Sequence, residues 1–90
     1  MAGPQRLRIV NARGLHARAS ARFVTVASRF EASVSVTKDG HAVTGTSIMG
    51  LMMLAAAMGD EIEVAAMGND APEALAALSD LVESGFGEER

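Results

Sequence analysis

A histidine, His16, stands between Arg13 and Arg18 where Gly14 gives way to an alanine-rich stretch that starts at Ala17. Alanine favours helix and glycine frees the backbone, so His16 falls at or beside a helix N-cap. The first amides of a helix have no intrahelical acceptors and carry the positive end of the dipole, which makes that end an anion site. Arg18 adds a guanidinium whose donors match phosphate oxygens. Neutral imidazole is a good nitrogen nucleophile near neutral pH. A histidine so placed can take up a phosphoryl group and give it away. His41 lacks such cationic company, flanks a turn and reads as ordinary surface. A second candidate lies about thirty residues beyond His16, where Ser47 opens the run Ile48-Met49-Gly50-Leu51-Met52.

The elements that must hold these residues follow from periodicity. Residues 6–10 alternate polar and apolar, predicting a first strand with Leu7 and Ile9 facing a core. Along residues 17–29, Ala19, Phe23 and Val26 or Ala27, then Phe30, recur at helical spacing, while Arg18, Arg22 and Arg29 lie off that stripe. Val34 and Val36 alternate with Ser33, Ser35 and Thr37 in a half-buried strand, and Asp39-Gly40 is a favoured hairpin turn into a return strand over residues 41–44. Ser47 is the expected N-cap of a short helix from Ile48 to about Leu54 that is apolar nearly all round, so part of it must stay exposed or be covered by a partner. Methionine suits a surface that meets several shapes. Ile62 and Val64 mark the buried face of a fourth strand that alternates over residues 61–65 and ends at Gly68. A last helix opens on Asp70 as N-cap, with Pro72 in its first turn and Glu73 as capping-box partner. Leu75, Leu78, Leu81 and Val82 form its stripe, Gly85 stops it, and Phe86 folds back on its last turn. Residues 87–90 read as a frayed tail. The order implies an α+β domain with a four-stranded sheet covered on one face by helices.

Composition narrows the chemistry. Ninety residues make a single domain, 1–90, with one modest core. No run approaches the roughly 18 apolar residues of a membrane span, and Pro4, Gln5, Arg6 and Arg8 interrupt any signal-like stretch. A soluble, cytoplasmic protein without membrane insertion is expected. With no cysteine and two distant histidines, neither disulfide nor metal site is expected. Six arginines precede the first acidic residue, Glu31, whereas from Glu31 onward eleven carboxylates meet only Lys38 and Arg90, a local net charge of −9. A basic surface around His16 would attract a phosphoryl group and an acidic partner. It also raises nucleic-acid binding as an alternative, but an overall charge of −3 and the lack of Tyr and Trp to stack bases speak against it. An interaction domain with an inert His16 is a third class.

The run Gly14-Leu15-His16-Ala17-Arg18-Ala19-Ser20, with Ser47-Ile48-Met49-Gly50-Leu51-Met52 further on, resembles the HPr family of histidine-containing phosphocarriers of the bacterial phosphoenolpyruvate-dependent phosphotransferase system. The resemblance covers nearly the whole chain. It departs at Ala19, where the family usually has proline, which leaves the helix start less preorganised but adds an N–H. The resemblance implies an open-faced β-sandwich, βαββαβα, with an antiparallel sheet, three helices on one face, and His16 and Ser47 on a common surface. It further implies a carrier, not an enzyme, and one that needs no cofactor. His16 would take a phosphoryl group at Nδ1 from enzyme I and pass it to an EIIA-type acceptor, with Arg18 and the amides of Ala17 and Arg18 on the phosphate. Ser47 would be a regulatory phosphorylation site for an HPr kinase/phosphorylase. Leu15, Arg18, Arg22, Ile48, Met49, Leu51 and Met52 would form the partner surface of a monomer. The C-terminal run with Ser84-Gly85-Phe86 is similar to the nitrogen-regulatory branch (NPr-like), whereas Ser47-Ile48-Met49-Gly50 resembles the sugar branch, and both readings stand.

Overall fold

The computed structural model describes residues 1–88. Strand β1 (Ala2–Arg8) leads to helix α1 (Ala17–Ala27), strands β2 (Ser33–Lys38) and β3 (His41–Thr44), helix α2 (Ile48–Met53), strand β4 (Glu61–Met67) and helix α3 (Ala71–Glu83). A 3-10 turn over Gly85–Gly87 follows. The strands form one antiparallel sheet in the order β1-β4-β2-β3. Alternation decides which face is dry. Leu7, Val34, Val36, Ile62, Val64 and Ala66 are buried, while their neighbours Arg6, Arg8, Ser35 and Glu61 face solvent. Ala19, Phe23 and Ala27 of α1, Leu51 of α2 and Leu75, Leu78 and Val82 of α3 close over the dry face in one hydrophobic core. The result is the expected α+β open-faced sandwich. Val26 and Phe30 only flank that core.

Local details depart from the sequence reading where a distant partner intervenes. β1 starts at Ala2 because a register shift between Ala2 and Gln5 absorbs Gly3 and Pro4 and lets pairing with β4 resume. β4, by contrast, ends at Met67 just before Gly68, as expected, its last residue paired with Ser33 of β2. The capping box on α3 does not form. Asp70 is the N-cap residue but makes no side-chain cap bond; its Oδ2 instead accepts the Glu31 N–H at 2.8 Å, tying the loop after α1 to the start of α3. The hairpin turn is as expected, with positive φ at Asp39 and Gly40, and His41 is exposed. Among the described residues no helix is long and apolar enough to cross a membrane.

Candidate functional site

Gly14 turns the chain into α1. Its φ is 63°, and a Cβ there would overlap the Ala56 carbonyl, so only glycine fits without rearrangement. The Leu15 N–H bonds that same carbonyl at 2.9 Å, which draws the Leu15 side chain into the core at 4% exposure. Leu15 is therefore not on the partner surface where it was expected. His16 comes next with an extended backbone and is the N-cap of α1: its Nδ1 accepts the Arg18 N–H at 3.2 Å and its carbonyl accepts the Ser20 N–H at 2.9 Å. The helix starts at Ala17 without a proline at position 19, where Ala19 is fully buried.

The other ring nitrogen is also engaged. His16 Nε2 lies 2.5 Å from Glu88 Oε2, and Glu88 Oε1 accepts from Asn11 Nδ2 at 3.0 Å. Asn11 is fully buried, and its amide donates a second bond to the Gly14 carbonyl at 2.8 Å. Because both acceptors face Nδ2, the flipped amide would oppose oxygen to oxygen, and the orientation is set. Partial burial by itself pushes the Glu88 carboxyl up, but hydrogen bonds from Asn11 and His16, with the charges of His16 and Arg22, outweigh it and hold the carboxyl below its usual range. The tail expected to fray is thus docked through Glu88; Glu89 and Arg90 lie outside the described residues. Phe86, 1% exposed, anchors it, and Arg22 Nη1 donates to the Phe86 carbonyl. The sequence reading missed Glu88 and the role of Asn11. The available signal, Gly85 as helix stop with the apolar Phe86 after it, places Phe86 against the fold but does not reach Glu88.

Ala17 and Arg18 are exposed at the helix start, and the Arg18 guanidinium has no ion pair among the described residues. The basic third does not act as one field. Arg6 pairs with Glu61 and Glu63 at 3.7 and 3.6 Å, and Arg8 with Glu61 at 4.0 Å, all on the open face of the sheet. Arg18 and Arg22 remain on the helical side.

Ser47 is the N-cap of α2, its Oγ accepting the Gly50 N–H at 2.9 Å. A Cβ on Gly50 would stand 3.0 Å from that Oγ and 3.2 Å from Val43 Cβ, which explains a glycine inside so short a helix. α2 packs beside α1. Leu51 points into the core at 0% exposure and so leaves the expected partner surface, whereas Ile48, Met49 and Met52 are exposed, as is Met53 at 79%. Periodicity could not tell which side of an all-apolar helix meets the sheet.

An imidazole that caps a helix through Nδ1, with an exposed arginine beside it at the helix start, sits at one end of a small open-faced sandwich. Residues 4–84 match the family model PTS-HPr, described as the PTS HPr component phosphorylation site. The phosphocarrier protein HPr of Neisseria meningitidis is 54% identical over 84 residues, covering 93% of this chain and 94% of its own. A crystal structure of HPr from Thermoanaerobacter tengcongensis superimposes with a TM-score of 0.91 at 45% identity, over 96% of this chain and 97% of that one. An HPr dimer from the same organism matches at 44% identity and a TM-score of 0.77, over 98% and 100% of the two chains. The chain belongs to the HPr family of the phosphotransferase system, whose members are phosphocarriers and not enzymes.

Proposed function

We propose that His16 is the phosphoryl acceptor and that Nδ1 is the reacting nitrogen. The observation that carries this reading is the division of labour on the ring: the Arg18 N–H points at Nδ1, so Nδ1 holds the lone pair, and Nε2 faces a carboxylate, so Nε2 holds the proton. The Nδ1 lone pair attacks phosphorus, the donor's P–N bond breaks, and its electron pair returns to the donor nitrogen. The transferred group then sits at the start of α1, where the amides of Ala17 and Arg18 and the Arg18 guanidinium take its oxygens. Enzyme I is the donor and an EIIA-type protein the acceptor, in the cytoplasm. Ile48, Met49 and Met52, with Arg18 and Arg22, supply the docking surface. The chain acts as a monomer; a dimer like that of the Thermoanaerobacter protein is the alternative that sedimentation would reveal.

Ser47 is a regulatory site for an HPr kinase/phosphorylase in the same reading. Its support is placement: a phosphoryl group on an N-cap meets free amides, so α2 tolerates it, while about two negative charges beside Ile48 and Met49 would have to be desolvated at an interface. The test of the carrier function is incubation with enzyme I and phosphoenolpyruvate. Wild type should acquire one acid-labile, base-stable phosphoryl group and His16→Ala none, with both folded by circular dichroism. Labelling of His16→Ala would overturn the reading.

A further inference from the structure

The C-terminal segment ends, within the described residues, on a carboxylate that touches the ring and not the reacting nitrogen. The Glu88 side chain is 15% exposed and His16 16% exposed, so the pair is largely shielded from water. Glu88 is held from two further directions. Asn11, from the loop before α1, binds Oε1, and the backbone two residues back is fixed by the buried Phe86 ring and by Arg22 of α1. Three separated parts of the chain thus converge to place one carboxylate on Nε2.

We infer that Glu88, oriented by Asn11, is a positioning residue for phosphoryl transfer: it keeps the proton on Nε2, aims the Nδ1 lone pair at the helix start, and balances the ring's positive charge as the phosphorus–nitrogen bond forms. The inference rests on His16 as acceptor. The proton balance follows directly. When Nδ1 gives its electron pair to phosphorus, Nε2 keeps its proton and the ring becomes a cation; the donor ring, losing its phosphoryl group, recovers a neutral lone pair. An anion 2.5 Å from Nε2 stabilises that cation and stands on the far side of the ring from the incoming group. A carboxylate against the non-reacting nitrogen is a recurrent way to set an imidazole's tautomer and direction. Asn11 deepens the arrangement, because its buried amide has spent one donor on the Gly14 carbonyl and offers the other only to Glu88.

The test uses the full chain and three variants, Glu88→Gln, Glu88→Ala and Asn11→Ala. Proton NMR with nitrogen-15 labelled histidine reads the pair without any phosphoryl donor. Wild type should show a far-downfield Nε2 proton that exchanges slowly with water, absent in Glu88→Ala. Phosphorylation by phospho-enzyme I, measured at saturating donor, should slow about tenfold in Glu88→Ala, the size expected for loss of nucleophile orientation, and less in Asn11→Ala, with the half-saturating donor concentration unchanged. Glu88→Gln, which keeps the shape and an acceptor but not the charge, should lie between wild type and Glu88→Ala. A wild-type rate in both Glu88 variants, or a freely exchanging Nε2 proton in wild type, overturns the inference while leaving His16 as acceptor intact. A wild-type chain that is never labelled overturns the functional reading instead, and the NMR result still decides whether the pair exists.

Discussion

Helices α1 and α2 both begin on a side chain that accepts an N–H from its own first turn, His16 from Arg18 at 3.2 Å and Ser47 from Gly50 at 2.9 Å. The caps differ in what else touches them. His16 has a second nitrogen held by Glu88 on a segment 72 residues away in sequence, whereas Ser47 Oγ has no acidic or histidine partner among the described residues. With a carboxylate on Nε2, the imidazole keeps its lone pair on Nδ1, where, among the described residues, only the Arg18 N–H meets it. A hydroxyl without a base is inert until an external enzyme activates it. In the proposed reading, the same local geometry serves a relay at one helix and a kinase target at the other. The bodies of the helices differ too. α1 is amphipathic and half sunk in the core; α2 commits Leu51 to the core and leaves Ile48, Met49, Met52 and Met53 in solvent.

The largest effect expected on this contrast concerns the two faces of α2. Leu51→Ala should destabilise the fold by about 2–5 kcal/mol through cavity formation, while Met49→Ala should leave the denaturant midpoint within about 0.5 kcal/mol and weaken enzyme I binding. If Met49→Ala costs as much stability as Leu51→Ala, the division into core and docking faces fails. Next comes Arg18→Ala, which should slow phosphorylation of His16 about tenfold, roughly 1.4 kcal/mol, without abolishing it, because the helix amides remain; an unchanged rate would make Arg18 mere surface. At α2, Ser47→Ala should cost about 1 kcal/mol of stability, and Ser47→Asp should keep the cap yet slow phosphorylation by enzyme I. Equal phosphorylation rates for wild type, Ser47→Ala and Ser47→Asp would leave Ser47 as a cap alone.

The smallest effect is on pH. Glu88 titrates below its ordinary value near 4.5 in the docked state. Its contribution to stability is therefore complete above that value and is lost as the pH falls through the lower docked value, releasing the segment that carries Phe86. Acid titration of the Glu88 side-chain carbon resonance checks this; a midpoint at or above the ordinary value contradicts it.

The strand alternation of β2 and β4, the Asp39-Gly40 turn, and the caps at His16 and Ser47 were legible because each is a local rule written in adjacent residues. What was illegible is non-local. Arg6 and Arg8 looked like part of a basic field until β4 placed Glu61 and Glu63 opposite them. Asp70 looked like a capping residue until Glu31 offered a better donor. Leu15 and Leu51 looked like surface because a family motif says which residues recur, not which way each points. Glu88 looked like a frayed end because nothing in residues 87–90 reveals that His16 and Asn11 wait for a carboxylate.

The most direct test of the account is the position of the phosphoryl group. Nitrogen-15 labelled protein, phosphorylated by enzyme I and phosphoenolpyruvate and read at once at alkaline pH, should show phosphorus coupled to Nδ1 of His16 and a proton retained on Nε2. Phosphorus on Nε2, or on any residue other than His16, would contradict the assignment of the lone pair to the nitrogen that faces Arg18.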